Sequence, residues 1–121
     1  MMLDSNILIG YLNGDESIRS TLYAWREAGT VLFISHISVI EALSFAASTD
    51  EEIVRIEEFL NDFIILPLDM ESSRYAAKLR RNYRLSLPDA IIAASALIHN
   101  VPLVTRDKHL QNLAGIQTTI V

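Results

Sequence analysis

Short apolar segments alternate with longer helical ones along the whole 121-residue chain. That alternation restricts the fold more than any single motif. Residues 1–4, 31–35, 63–66, 103–105 and 116–121 have the length and the apolar or β-branched content of strands. The segments between them carry apolar residues at helical spacing. Ile18, Leu22 and Trp25 fall at i, i+4 and i+7, and Ile53, Ile56 and Leu60 face inward in the same way. Strands separated by helices cannot pair through hairpins. They pair in parallel, with right-handed crossovers that put helices on both faces of the sheet. Residues 89–99 are apolar nearly all round, so this helix needs cover on more than one side. With 50% hydrophobic and 21% charged residues, the chain has the composition for one core over residues 1–121, and no room for a second domain.

Capping residues set the expected helix limits. A first helix spans residues 6–12, closed by the turn at Asn13 and Gly14. Asp15 or Ser17 caps the next, which runs to about Ala28 and stops at Gly29. A helix over residues 38–47 carries Glu41, and Thr49 or Asp50 caps the one after it. Pro67 stops the third strand, and residues 71–83 form a polar helix. Ser86, Pro88 and Asp89 are a helix start: a cap, a proline in the first turn and an acid three residues on. Asn100 ends that helix, and residues 107–113 make a short last one.

Four acids adjoin four of these apolar segments: Asp4, Glu41, Asp89 and Asp107. In a parallel sheet, ligands bind outside the carboxyl ends of the strands, and Asp4 and Asp107 each follow a strand. Two readings stand for each acid. Either Asp4 or Ser5 caps the following helix, or Asp4 is a metal ligand, with Ser5 and Asn6 holding its carboxylate or a metal-bound water. Glu41, the only charged residue between His36 and Asp50, either borders the apolar face or belongs to the polar one. Asp89 either favours its helix N-terminus or sits rigidly at a cleft edge. Asp107 is either a cap or a ligand, and Thr105 is placed to hydrogen-bond an acid or a water. Brought together, such acids repel one another and call for a divalent cation. Hard oxygen donors suit Mg²⁺ or Mn²⁺. His36, His99 and His109 show no metal-ligand spacing and read as structural or solvated, with His109 nearest the acids.

No cysteine is present, which excludes disulfides and thiolate metal sites. The net charge of −5 argues against a purely electrostatic nucleic-acid binder, although acids neutralised by metal would not count against a nuclease. One basic stripe exists: Arg74, Lys78 and Arg81 fall at i, i+4 and i+7. It reads either as a phosphate contact or as a solvated helix face. The first residues lack the basic and apolar regions of a signal peptide, and the apolar run 90–98 is too short to span a bilayer. A cytoplasmic protein is expected.

Four motifs carry a family likeness: Leu3-Asp4-Ser5-Asn6-Ile7-Leu8-Ile9, Ile37-Ser38-Val39-Ile40-Glu41-Ala42-Leu43, Leu87-Pro88-Asp89-Ala90-Ile91-Ile92-Ala93-Ala94 and Leu103-Val104-Thr105-Arg106-Asp107-Lys108. The chain resembles the PIN domain, in particular the small VapC-like toxins of toxin–antitoxin pairs. The resemblance implies a three-layer α/β/α sandwich with a parallel sheet of about five strands. It also implies Mg²⁺- or Mn²⁺-dependent endoribonuclease activity at Asp4, Glu41, Asp89 and Asp107, supported by Ser5 and Thr105. A cognate antitoxin and a homodimer are expected partners. Where many relatives carry an acid followed by Phe after the last motif, this chain has His109 and Leu110.

Two other classes compete. A non-catalytic PIN-like module would bind RNA or protein without cleaving. A phosphotransfer domain would also place acids at strand ends. However, a dehalogenase-like phosphatase needs a second Asp where this chain has Asn6, and a receiver needs an acid ending the third strand, where Pro67-Leu68-Asp69 is a poor substitute.

Overall fold

A computed structural model describes residues 1–45 and 48–119. Five strands form one sheet: β1 (Met2–Leu3), β2 (Phe33–Ser35), β3 (Ile64–Leu66), β4 (Leu103–Val104) and β5 (Thr118–Thr119). All four pairings are parallel, in the order β3-β2-β1-β4-β5. The helices are α1 (Ser5–Leu12), α2 (Glu16–Glu27), α3 (His36–Phe45), α4 (Asp50–Leu60), α5 (Met70–Tyr83), α6 (Leu87–Ile98) and α7 (Lys108–Gln111).

Successive strand residues face opposite sides of the sheet, and the core divides accordingly. Met2 and Leu103 pair in register and join α5, α6 and α7 in one buried cluster. Leu3 and Val104, the next pair along, join α1, α2, α3 and α4 in the other. The fold is therefore the expected α/β/α sandwich, with β1 at its centre. Ala90 through Ala96 are all buried, because α6 packs on the sheet strands β1 and β2 while α3 and α5 cover its other sides. β3 is an edge strand, which is why its Ile64 is 52% exposed.

The caps lie where their chemistry puts them. Asp15, Thr49 and Ser86 each accept a backbone N–H three residues on. Gly29 has φ of 76°, a left-handed turn that ends α2 without the steric penalty a Cβ would bring. Several helix limits differ from expectation. The helix expected over residues 38–47 begins at His36, because Ser35 Oγ at the strand end accepts the Ile37 N–H. Its expected end at Ala46 and Ala47 lies outside the described residues. The helix expected from Asp89 starts at Leu87, since Ser86 is the cap and Pro88 fits the first turn. The aromatic residues divide between surface and core. Tyr23 and Phe45 are 68% and 75% exposed, whereas Trp25 and Phe59 pack against the core. Among the described residues, no helix is long and apolar enough to cross a membrane.

Candidate metal centre

Strand order reverses between β1 and β4: the chain runs outward to β2 and β3 on one side and to β4 and β5 on the other. Such a reversal opens a crevice at the carboxyl ends of the two strands. Asp4 directly follows β1 there, and Thr105 directly follows β4.

Asp4 occupies the N-cap position of α1, but its side chain makes no capping bond. Its carboxylate instead accepts the Thr105 hydroxyl, Oγ1 to Oδ2, at 2.7 Å. Thr105 Oγ1 in turn accepts the Asp107 N–H at 3.0 Å, and the Thr105 carbonyl accepts Gln111 Nε2 at 3.1 Å. One hydroxyl thus fixes the Asp4 side chain and the backbone of Asp107 together. Asp4 is only 2% exposed and Thr105 is fully buried.

Glu41 on α3 is tied to Ser5, the residue after Asp4. Ser5 Oγ donates to Glu41 Oε1 at 3.2 Å and lies 2.8 Å from Ser38 Oγ. A hydroxyl has one proton, so with Ser5 donating to Glu41, Ser38 donates to Ser5. This chain of hydroxyls orients Glu41 and ties α1 to α3. Ser38, absent from the residues expected at the site, is fully buried here. Asn6 is exposed and makes no hydrogen bond to the acids.

Asp89 lies in the first turn of α6 and Asp107 at the N-cap of α7. The Asp89 N–H is bound by Ser86 Oγ at 3.3 Å, and Asp107 Oδ1 caps α7 by accepting the His109 N–H at 2.8 Å. Both acids nevertheless lie within electrostatic reach of Asp4. Burial pushes the Asp4 carboxyl up to about 6; the Thr105 hydroxyl opposes this, and repulsion from Asp89 and Asp107 adds to it. Burial also raises Asp89, with the Ser86 hydroxyl opposing, Asp107 repelling and His109 attracting. His36 is exposed, and His99 pairs through Nδ1 with the Ser95 carbonyl at 2.8 Å, so neither belongs to the site.

The donor chemistry fits a hard divalent cation: oxygen ligands only, one of them buried, and mutual repulsion that a cation would relieve. Among the described residues no three acidic or imidazole groups are yet drawn close enough to enclose an ion. Asp89 and Asp107 act electrostatically on Asp4, and Glu41 is linked to the neighbouring Ser5.

The PIN domain family model matches residues 1–116. The chain belongs to the PIN domain family. Similar solved structures include a chain of a toxin–antitoxin complex from Klebsiella pneumoniae, 30% identical, covering 99% of this chain and 94% of that one, with a TM-score of 0.83. VapBC2 from Rickettsia felis, bound to a promoter DNA fragment, shares 21% identity over 99% of this chain and 97% of that one, also at 0.83. VapBC-1 from nontypeable Haemophilus influenzae shares 23% over 98% and 96%, at 0.80. No curated protein sequence matches this PIN domain.

Thr105→Val tests how this PIN domain holds its buried acid. The substitution keeps the shape and removes the hydroxyl, leaving Asp4 without its side-chain donor. A loss of about 1–3 kcal/mol at neutral pH is expected from denaturant unfolding. Mn²⁺ affinity by calorimetry should fall about 10- to 100-fold, as for other partners that orient a ligand. Unchanged values for both would show that Thr105 does not position Asp4.

Proposed function

We propose that this PIN domain is a divalent-metal-dependent endoribonuclease, the toxin of a VapBC-type pair. The observation that carries the reading is Asp4: a buried carboxylate at a helix start, held by the Thr105 hydroxyl within electrostatic reach of Asp89 and Asp107. Asp4, Asp89 and Asp107 would hold Mg²⁺ or Mn²⁺, with Glu41 completing the set or orienting the attacking water. When bound, the cation lowers the pKa of that water and neutralises charge building on the phosphate.

The residues divide the remaining work. Thr105 keeps Asp4 from rotating away and keeps Asp107 beside it. Ser38 and Ser5 aim Glu41. Asn6, exposed in the first turn of α1, stands where it would meet substrate or a bound water. Arg74, Lys78 and Arg81, all exposed on α5, would meet RNA phosphates. Attack in line leaves 5′-phosphate and 3′-hydroxyl ends.

A cognate antitoxin and a second copy of the chain are the proposed protein partners. Support for the first comes from the similar structures, several of which are toxin–antitoxin complexes. The apolar stretch Ala90–Ala96 of α6 is buried within the monomer and is not available for a contact between copies. Exposed apolar residues such as Leu68, Met70 and Leu87 are available for that contact.

The test is cleavage of a mixed RNA panel by the isolated chain with Mg²⁺ or Mn²⁺, followed by end analysis. Fragments carrying 5′-phosphates support the reading. Intact RNA with every cation, from a folded protein, contradicts it, and a non-catalytic binding module then becomes the better account.

A further inference from the structure

The end of α5 carries a second charged feature, separate from the acids. An open hollow of about 580 Å³ is lined by Ala77, Arg80, Arg81, Arg84 and Leu85. The chain has ten Lys and Arg residues in all, and three of them meet here. Among the described residues, no acid lines the hollow, and the two side-chain ion pairs, Arg26 with Asp62 and Arg106 with Asp15, lie elsewhere. Cations near a helix C-terminus are favoured by its dipole, but one would serve, and three so close repel one another.

Arg84 adds a second observation. It closes α5 in the left-handed region, with φ of 55° and ψ of 38°. Glycine adopts that conformation freely, whereas a side chain is strained there by about 1–2 kcal/mol. Arg80 Nε donates to the Leu85 carbonyl at 3.3 Å, which pins the turn. A residue that destabilises the turn is held in place, and its charge is delivered to the hollow.

The hollow also connects to the acids. Leu85 lines a neighbouring hollow of about 240 Å³ together with Tyr83, His109, Asn112 and Leu113. His109 is two residues from Asp107, and its charge is felt by Asp89. A polyanion approaching a chain of net charge −5, at a site built of carboxylates, needs a local anchor of opposite sign.

We propose that the hollow formed by Arg80, Arg81 and Arg84 holds a backbone phosphate of single-stranded RNA, to one side of the bond that is cut. This rests on the nuclease reading above and extends it. Arg81 and Arg84 hold the phosphate, and Arg80 fixes the turn that presents them. Phosphate contacts position a strand without reading its sequence, so their loss should weaken all sequences alike.

The experiment measures binding of a fluorescent single-stranded RNA of about 12 nucleotides to the Asp4→Asn chain, with and without Arg81→Ala plus Arg84→Asn. Asn tolerates the left-handed turn, and Arg81→Glu alone serves as a second variant that leaves the turn untouched. Expected is a fall in affinity of at least about tenfold, with the slope of log K against log salt shallower by about 1. Unchanged affinity and slope would overturn the proposal. So would a wild-type chain that binds no RNA, a loss that follows Arg74→Ala and Lys78→Ala instead, or equal binding of polyglutamate at the same arginines. Binding that behaves as expected in a chain that cuts no RNA leaves this proposal standing and removes the nuclease reading.

Discussion

Asp4→Asn is expected to leave the fold intact, to raise its melting temperature in EDTA at neutral pH, and to lower RNA cleavage by about a thousandfold or more. The first two effects follow from burial. The Asp4 carboxyl titrates at about 6 in the folded chain, against 3.8 ordinarily. Between those values the folded state binds the extra proton, so falling pH stabilises it. Above 6 the folded chain carries the whole penalty of a buried charge, of the order of 2–3 kcal/mol at 1.36 kcal/mol per pKa unit. Asn keeps an oxygen to accept the Thr105 hydroxyl and removes that charge. Cation-free stability of the native chain should therefore rise as pH is lowered from 7 toward 4, as far as Asp4 governs it. The variant should lack that slope. Saturating Mn²⁺ should erase the slope in the native chain by favouring the charged form. Thermal unfolding at several pH values, with EDTA or Mn²⁺, checks each sign. A native chain whose stability falls steadily below pH 7 in EDTA, with Asp4→Asn behaving the same, would place Asp4 outside this account.

Ile92→Ala should produce the largest loss of stability. Ile92 is fully buried in the cluster that joins α6 to Met2 and Leu103, where the sheet leaves little freedom to collapse around a void. A large-to-small change at such a position costs about 2–5 kcal/mol. In a chain of this length that lowers the melting temperature by roughly 10 °C or more. Ile40→Ala, on the 59% exposed side of α3, should change stability by less than about 0.5 kcal/mol. Equal effects at the two positions would mean that α6 is not the buried layer described here.

The strand–helix alternation was enough to read the α/β/α layers, because periods of two and 3.6 residues are written into short segments. Chain ends and strand limits were less legible. The last strand, expected over residues 116–121, is described only at Thr118–Thr119, and the residues beyond lie outside the description. The acids were visible, but the reason that separates Asp4 from a cap was not. Its carboxylate turns to Thr105, a partner 101 positions away that only the β1–β4 pairing brings near. Ser38 was missed because a serine inside an apolar helix looks like filler. The available signal was its spacing, three residues before Glu41 on the same helix face. The basic stripe was read as Arg74, Lys78 and Arg81, by helical period. The hollow takes only Arg81 from it and adds Arg80 and Arg84. Helical periodicity cannot foresee that choice, because it depends on the left-handed turn at Arg84 that breaks the helix.

Cleavage of RNA by the isolated chain, followed as Mn²⁺ is titrated in and then removed with EDTA, tests the central claim most directly when Asp4→Asn is run beside it. Cleavage that rises with Mn²⁺, disappears in EDTA and is absent from the folded variant is the result expected of a catalytic acidic site that includes Asp4. Cleavage that persists in EDTA, or an Asp4→Asn chain as active as the native one, would contradict it.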